Sequence, residues 1–171
     1  MADNAAVTEV KARARIRLNA ARREDASHGL RLRDELIAVS REAGFRDWDH
    51  ARKVLGGDSA HGDDMGTFWH APRCTTLFNE WFASYAPALE TQASHPGSFV
   101  LPYGRQYVVA RDEFIRELAL DPADPSWAEI GRDLVRGYGR PPWVALARQR
   151  LRAPPDTFAT PRPSLQSRLR R

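Results

Sequence analysis

The sequence predicts an α+β protein, mostly helical, with an N-terminal helical module and a small antiparallel sheet, and three observations carry that expectation. Apolar residues recur at helical spacing through the first 55 residues. The stretch SFVLPYGRQYVVA sets two β-prone runs around Tyr103-Gly104-Arg105, the pattern of a hairpin over about 98–110, with Pro102 tolerable near the turn or on an edge. Between these regions GGDSAHGDDMG, residues 56–66, holds four glycines and three aspartates and reads as a loop. The expected organisation is a basic helical module at 1–57, a loop at 58–66, an aromatic-rich α+β part at 67–153 and a basic flexible tail at 154–171.

The elements follow in order. Val10, Ala14, Leu18 and Ala21 mark the buried stripe of a basic helix over roughly 5–25, with Lys11, Arg13, Arg15, Arg17, Arg22 and Arg23 between them. A second helix is expected from about Leu30 to Ala43 on the stripe Leu32, Leu36, Val39 and Ala43, with Ile37 beside it, Ser27 as its N-cap and Gly44 ending it. Asp47 can cap a short third helix through Leu55, with Gly56 as its left-handed C-terminal residue. Phe78, Trp81, Phe82 and Tyr85 stand at i, i+3, i+4 and i+7, which predicts one helix face turned to the core. Phe68-Trp69-His70 is expected to add a third strand to the hairpin, since two strands alone are rarely stable. Asp112 is read as the cap of a helix holding Phe114, Ile115 and Leu118 that stops at Asp121-Pro122. Asp124 or Pro125 opens another, with Trp127, Ile130 and Leu134 on its face and Gly137 at its stop. The prolines of RPPWVALARQRLRAP open a last helix, and the remaining Pro/Ser/Arg segment has little to pack.

Composition bounds the function. Of the 171 residues, 42% are hydrophobic and 28% charged, as in ordinary globular domains. No run of about 18 apolar residues exists, and the start MADNAAVTEVKARAR lacks the apolar stretch of a signal peptide. Arg22-Arg23 is followed by Glu24 and Asp25, unlike a twin-arginine signal. The cytoplasm is the expected compartment, and no membrane partner is expected. Cys74 is the single cysteine, which excludes an internal disulfide and a cysteine-rich zinc site within one chain. The net charge of +4 is unevenly placed: Lys and Arg stand 12 against 9 acids in 1–57, 5 against 12 in 58–135, and 9 against 1 in 136–171. Basic ends around an acidic middle suit an anionic partner, nucleic acid or an acidic protein surface. Arg outnumbers Lys 24 to 2. A GC-rich genome produces that bias without selection for guanidinium chemistry, so the position of the charge counts for more than the excess of arginine.

The stretch SREAGFRDWDHARKVLGG, residues 40–57, admits two readings. Gly44 permits a tight corner between helices, Ser40 is small enough for close contact, and Val39 and Phe45 can plug the turn, which is helix-turn-helix spacing. Residues 36–55 resemble the corner of AraC-type activators. That resemblance implies a recognition helix on which Arg46, Asp49, His50, Arg52 and Lys53 face the major groove or phosphates. Trp48 stands where those activators place a polar residue, and Gly56-Gly57 stops the helix early. The pattern A-x-G-F-x-x-W-x-x-A-x-x-x-L, here Ala43-Gly44-Phe45, Trp48, Ala51 and Leu55, is also similar to a short helical module of uncharacterised bacterial proteins, some carrying glyoxalase-like domains. This second resemblance implies that Phe45 and Trp48 are buried plugs and implies no activity, because no metal-ligand series accompanies it.

Two classes of function remain. The first is a small non-enzymatic binding or accessory protein that contacts nucleic acid or another acidic surface through its arginine-rich ends, the helix over 5–25 and residues 136–171, with Arg13, Arg17, Arg22, Arg46, His50, Arg52 and Lys53 as the candidate contacts. The second is a small enzyme with a polar site in residues 61–106, its candidate pocket formed by His70, Arg73, Cys74, Glu80, Tyr103, Arg105 and Gln106, with Asn79 nearby. His61, Asp63, Asp64, His70 and Cys74 are all ligand-type residues, but Pro72 interrupts the H-x₃-C pair and no partner cluster follows, so no metal and no cofactor are expected. No Gly-rich phosphate loop, H-E-x-x-H, G-x-S-x-G or paired-cysteine signature occurs, which favours the first class.

Overall fold

The computed structural model describes residues 3–24 and 29–158; Ser27, the expected N-cap, and residues 159–171 of the basic tail lie outside the described residues. Helix α1 spans Ala5–Glu24, α2 Leu32–Glu42 and α3 Trp48–Gly56. The side chain of Asn4 caps α1 by accepting from the backbone N–H of Ala6 and Val7 at 3.0 and 3.1 Å, and its amide donates to the Leu55 carbonyl at 2.7 Å, tying the start of α1 to the end of α3. Asp47 caps α3 as expected, accepting from His50 N at 2.8 Å. The left-handed residue after α3 is Gly57, at φ +88°, one position beyond the expected Gly56, which is still helical.

The fold class is as the sequence predicts: among the described residues helices predominate and one three-stranded antiparallel sheet accompanies them. The hairpin forms from β2, Phe99–Tyr103, and β3, Gln106–Ala110. The third strand is β1, Asn79–Phe82, which pairs with the other edge of β3. Two expectations are corrected here. Phe68-Trp69-His70 forms turns instead of a strand, and Phe78, Trp81, Phe82 and Tyr85 do not share a helix face, because the chain is extended through 82 and helix α4 begins at Tyr85, running to Ser94. In a strand, neighbours point to opposite sides. Trp81 accordingly meets Tyr103 and His70 on one side of the sheet, while Phe82 joins the small cluster of Ala88, Val100, Tyr107 and Val109 on the other.

Helix α5, Asp112–Glu117, has Asp112 as its first residue and Arg111 as its N-cap position, and it ends before Asp121-Pro122. Asp124 does cap α6, accepting from Ser126 N at 2.8 Å, but α6 is a single turn, Pro125–Glu129, and not a helix reaching Gly137. The chain leaves the helix to cover the β2 edge: Val100 N donates to Arg132 O at 2.9 Å and Leu134 N to Val100 O at 3.0 Å. The last helix, α7, is Pro141–Leu151. It packs along α1. One core cluster unites Val10, Leu55, Trp69, Leu101, Ile115 and Trp143, drawing on sequence from either side of the 58–66 loop. That loop is tied down: Met65 N donates to Gly104 O at 2.9 Å and Gly104 N to Gly66 O at 2.7 Å. Among the described residues, no helix is long and apolar enough to cross a membrane.

The Gly44-Phe45 corner meets the second half of the chain directly. Gly44 sits at φ +93°, and a Cβ there would fall 2.5 Å from Thr67 Oγ1; a Cβ on Gly66 would fall 2.6 Å from Gly44 O. Only glycine permits this approach. Phe45 is buried and stacks on Phe68 with ring centroids 5.2 Å apart. Trp48, expected to be buried with it, is only partly so, because it stands at the exposed start of α3 with the Lys11 ammonium 6.0 Å from its ring.

The first residues of the expected flexible tail are built into the fold. Pro155–Thr157 form a short 3-10 turn. Arg150, fully buried, donates to Thr157 O and Thr157 Oγ1 at 2.7 Å each and lies over Phe158 at 3.8 Å. A cut at residue 154 therefore removes part of the core.

Candidate nucleic-acid interface

Helix α3 and the turn that leads into it carry four of the expected contacts, Arg46, His50, Arg52 and Lys53, and the structure divides them. His50 is turned inward, corrected from a groove-facing position: its Nδ1 accepts from Arg46 N at 3.1 Å, so its Nε2 carries the proton and donates to Asp64 O at 2.7 Å. With both ring nitrogens engaged, this histidine joins the corner to the 58–66 loop and offers nothing to a partner. Arg46, Arg52 and Lys53 are exposed. Arg46 pairs with Asp47 at 3.2 Å and Lys53 with Asp63 at 2.7 Å. Asp49, also exposed, adds a further negative charge, so the surface of α3 is balanced in charge.

Helix α1 presents a different surface. Arg17 is neutralised by α2, with Glu35 at 3.0 Å and Glu42 in a second ion pair; the hydrogen bond to Glu42 and both carboxylates hold its pKa above the ordinary value against the effect of burial. Arg13 instead faces Glu9 one turn earlier, at 3.7 Å. The same carboxylate is reached from α7 by Arg148, at 3.5 Å, and from the residue after α7 by Arg152, whose Nε and Nη2 lie 2.9 and 2.8 Å from Glu9 Oε2. Three guanidinium groups thus converge on one carboxylate. The glutamate side chain is 15% exposed, against 33%, 47% and 54% for Arg13, Arg148 and Arg152. Burial raises the pKa of Glu9, but Arg152 first, and Arg13 and Arg148 with it, more than offset this and hold the carboxyl below its usual range. At 3.6 residues per turn, positions 9, 13, 16, 20 and 23 share one flank of α1, so the exposed Arg23 lies on the same flank as Arg13, about 21 Å from Glu9, with Ile16 and Ala20 between them. Arg22 is exposed on another flank. Beside the seam, Ile16, Val39, Leu151 and Phe158 line an apolar groove that Arg13 borders.

The candidate pocket residues do not converge on one site: His70 meets Tyr103, and Arg105 and Gln106 share a separate cavity. His70 and Cys74 are core residues. The His70 ring packs edge-on against Tyr103 and Phe114 at 5.2 and 5.8 Å, and burial, with the Arg150 charge, lowers its pKa. Burial pushes the Cys74 thiol up to about 11, so it is protonated and a poor nucleophile at neutral pH. Asn79 donates to the carbonyls of Cys74 and Leu77 at 3.0 and 2.8 Å. Glu80 sits on β1 opposite Val109, and Arg73 is exposed on the 3-10 turn Pro72–Thr76. Arg105 and Gln106 open on a common cavity, of about 100 Å³ and also lined by His61, Asp63, Tyr107 and Tyr138. His61 stacks over Tyr107 at 6.0 Å. Among the described residues, no three His, Cys, Asp or Glu side chains are grouped to hold a metal ion.

The fold and this seam define a small α+β protein with an arginine-rich junction between its first and last helices. No family model, no curated protein and no solved structure matches the chain. Arg148 and Arg152 fall within the basic end 136–171 expected to meet an anionic partner, but they are not among the residues named as candidate contacts. Their i, i+4 spacing marks one face of α7, as Glu9 and Arg13 mark one face of α1, but only the pairing of the two helices brings the four together.

Proposed function

We propose that this chain is a small non-enzymatic binding or accessory protein that contacts nucleic acid through phosphates along the α1–α7 seam. The observation that supports this reading is the convergence of Arg13, Arg148 and Arg152 on the single carboxylate of Glu9, which leaves two formal positive charges uncompensated on an exposed surface. Guanidinium groups suit phosphate, which they bind through paired N–H donors. The charge-balanced α3 offers few side chains for base edges, so binding is weak, nearly independent of sequence and steeply reduced by salt. The test is fluorescence anisotropy of a labelled DNA duplex and a labelled single strand between about 50 and 200 mM salt. The expected result is measurable binding at the low end, retained with a shallower salt slope when residues 159–171 are removed. That cut deletes Arg162, Arg168, Arg170 and Arg171 and leaves the Arg150–Thr157 hydrogen bonds intact. Full-length protein that binds neither probe near 50 mM salt refutes the reading and makes an acidic protein surface the next target.

A second reading, a small enzyme with its site in residues 61–106, has one observation in its favour: the cavity beside the hairpin tip has aromatic walls in His61, Tyr107 and Tyr138 and a cation, Arg105, on its lining. At about 100 Å³ it accommodates only a small group. A screen of small anions by thermal shift tests it: stabilisation abolished by Arg105→Ala supports it, and no stabilisation by any of them counts against it.

A further inference from the structure

Resting on the reading of the α1–α7 seam as a phosphate-contacting surface, we propose that Glu9 is a resident anion that organises the three arginines and limits how strongly they bind phosphate. Arg152 is hydrogen-bonded to Glu9 Oε2 at 2.9 Å, whereas Arg13 and Arg148 approach at 3.7 and 3.5 Å, longer than a well-formed N–H···O bond. Among the described residues Glu9 is the one ion-pair partner of these two, and both are partly exposed, so an arriving anion can reach them. Without Glu9 the three cations would repel one another, and the carboxylate keeps them within one small area. The same carboxylate also repels a phosphate that seeks the same donors. Such like-charge repulsion across a few ångströms of hydrated surface corresponds to about a three- to tenfold change in affinity.

Alternative roles for the cluster make different predictions. If Glu9 only joined α1 to α7, removing its charge would lower thermal stability and leave affinity unchanged or reduced. If it limits binding, removing its charge while keeping a hydrogen-bond acceptor strengthens binding. Groups facing Glu9 come from both helices, Arg13 from its own and Arg148 and Arg152 from the other side, and no second carboxylate is ion-paired with these arginines among the described residues.

The test compares wild type with Glu9→Gln, and with Glu9→Met as a variant of similar volume that accepts no hydrogen bond. The probe is a labelled DNA duplex at about 50 mM and 200 mM salt, with circular dichroism and melting curves to check folding. The expected result is about three- to tenfold tighter binding by Glu9→Gln at the lower salt, with the gain shrinking at the higher salt as screening sets in. Wild type that binds while folded Glu9→Gln binds equally or more weakly overturns the inference and leaves the interface reading standing. Loss of folding in both variants shows that the carboxylate is structural glue and also overturns it. If neither wild type nor either variant binds, the interface reading itself fails.

Discussion

Three arginines at alternate positions along the end of α7 are treated in two opposite ways. Arg150 points inward and is fully buried. Its Nε donates to Phe68 O at 3.1 Å, one terminal nitrogen to Leu118 O and Thr157 Oγ1, and the other to His70 O and Thr157 O. All five N–H donors are spent on neutral oxygens, and the guanidinium lies over the Phe158 ring. Burial pulls its pKa down to about 9, which leaves it protonated at neutral pH and able to make every one of those bonds. Arg148 and Arg152 point outward and share one carboxylate with Arg13. Each of these guanidinium groups carries the same charge, and they differ in what satisfies them. A guanidinium with every donor engaged inside the protein holds a fold together, and one with donors to spare at the surface is available to a partner.

The largest effect expected from this comparison is on Arg150. Arg150→Met removes the donors for three buried carbonyls and the part-buried Thr157 carbonyl and releases the 155–158 segment, at a cost of about 3–5 kcal/mol in urea unfolding. A loss under about 1 kcal/mol would contradict its role as the latch. Phe45→Ala tests the Gly44 corner on a similar scale, about 3–5 kcal/mol for a buried aromatic, and Trp48→Ala is expected to cost clearly less, because Trp48 is only partly buried. His50→Ala leaves the Arg46 N–H and the Asp64 carbonyl without their partner and costs about 1–3 kcal/mol. On the outward side, Arg148→Met or Arg152→Met changes stability by no more than about 1 kcal/mol, as expected for exposed ion pairs.

The pH response sharpens the same contrast. The folded-state pKa of Glu9 lies below its ordinary value of 4.5, so its contribution to stability is complete above about that pH and is lost as pH falls through the lower folded value. Glu9→Gln should therefore flatten part of the acid limb of a melting-temperature profile and leave the profile near neutrality parallel to wild type. The smallest effect expected is at Cys74. Its buried, proton-bearing thiol stays unreactive toward a disulfide reagent at pH 8 in the folded protein and reacts promptly once unfolded. Fast reaction of the native thiol would revive it as a nucleophile.

What was legible in the sequence followed from local chemistry. The stripe of Val10, Ala14 and Leu18, the caps Asp47 and Asp124, and the two runs around Tyr103-Gly104-Arg105 each act within a few residues, and each appears in the structure. The errors arose where a distant segment decided the outcome. Phe78, Trp81, Phe82 and Tyr85 match a helical period by count, but the unpaired edge of β3 draws residues 79–82 into a strand. The helix expected to run to Gly137 stops at Glu129 because residues 132–134 bridge to Val100. The candidate site was legible in part. Arg13 was visible as a surface cation, but its companions Arg148 and Arg152 stand more than 130 positions away, and only helix packing makes them neighbours. His50 looked like a polar residue on a reading helix, and the bond that takes its Nε2 proton comes from a loop with no pattern of its own.

The central claim, that the outward arginines of the α1–α7 seam contact phosphates, is tested most directly by the salt dependence of DNA binding in the double variant Arg148→Met, Arg152→Met. The account predicts a folded protein that melts close to wild type, binds more weakly at about 50 mM salt, and shows a log–log salt slope shallower by about 0.9 for each phosphate no longer neutralised, up to about two phosphates. A folded double variant with the affinity and the salt slope of wild type would contradict it.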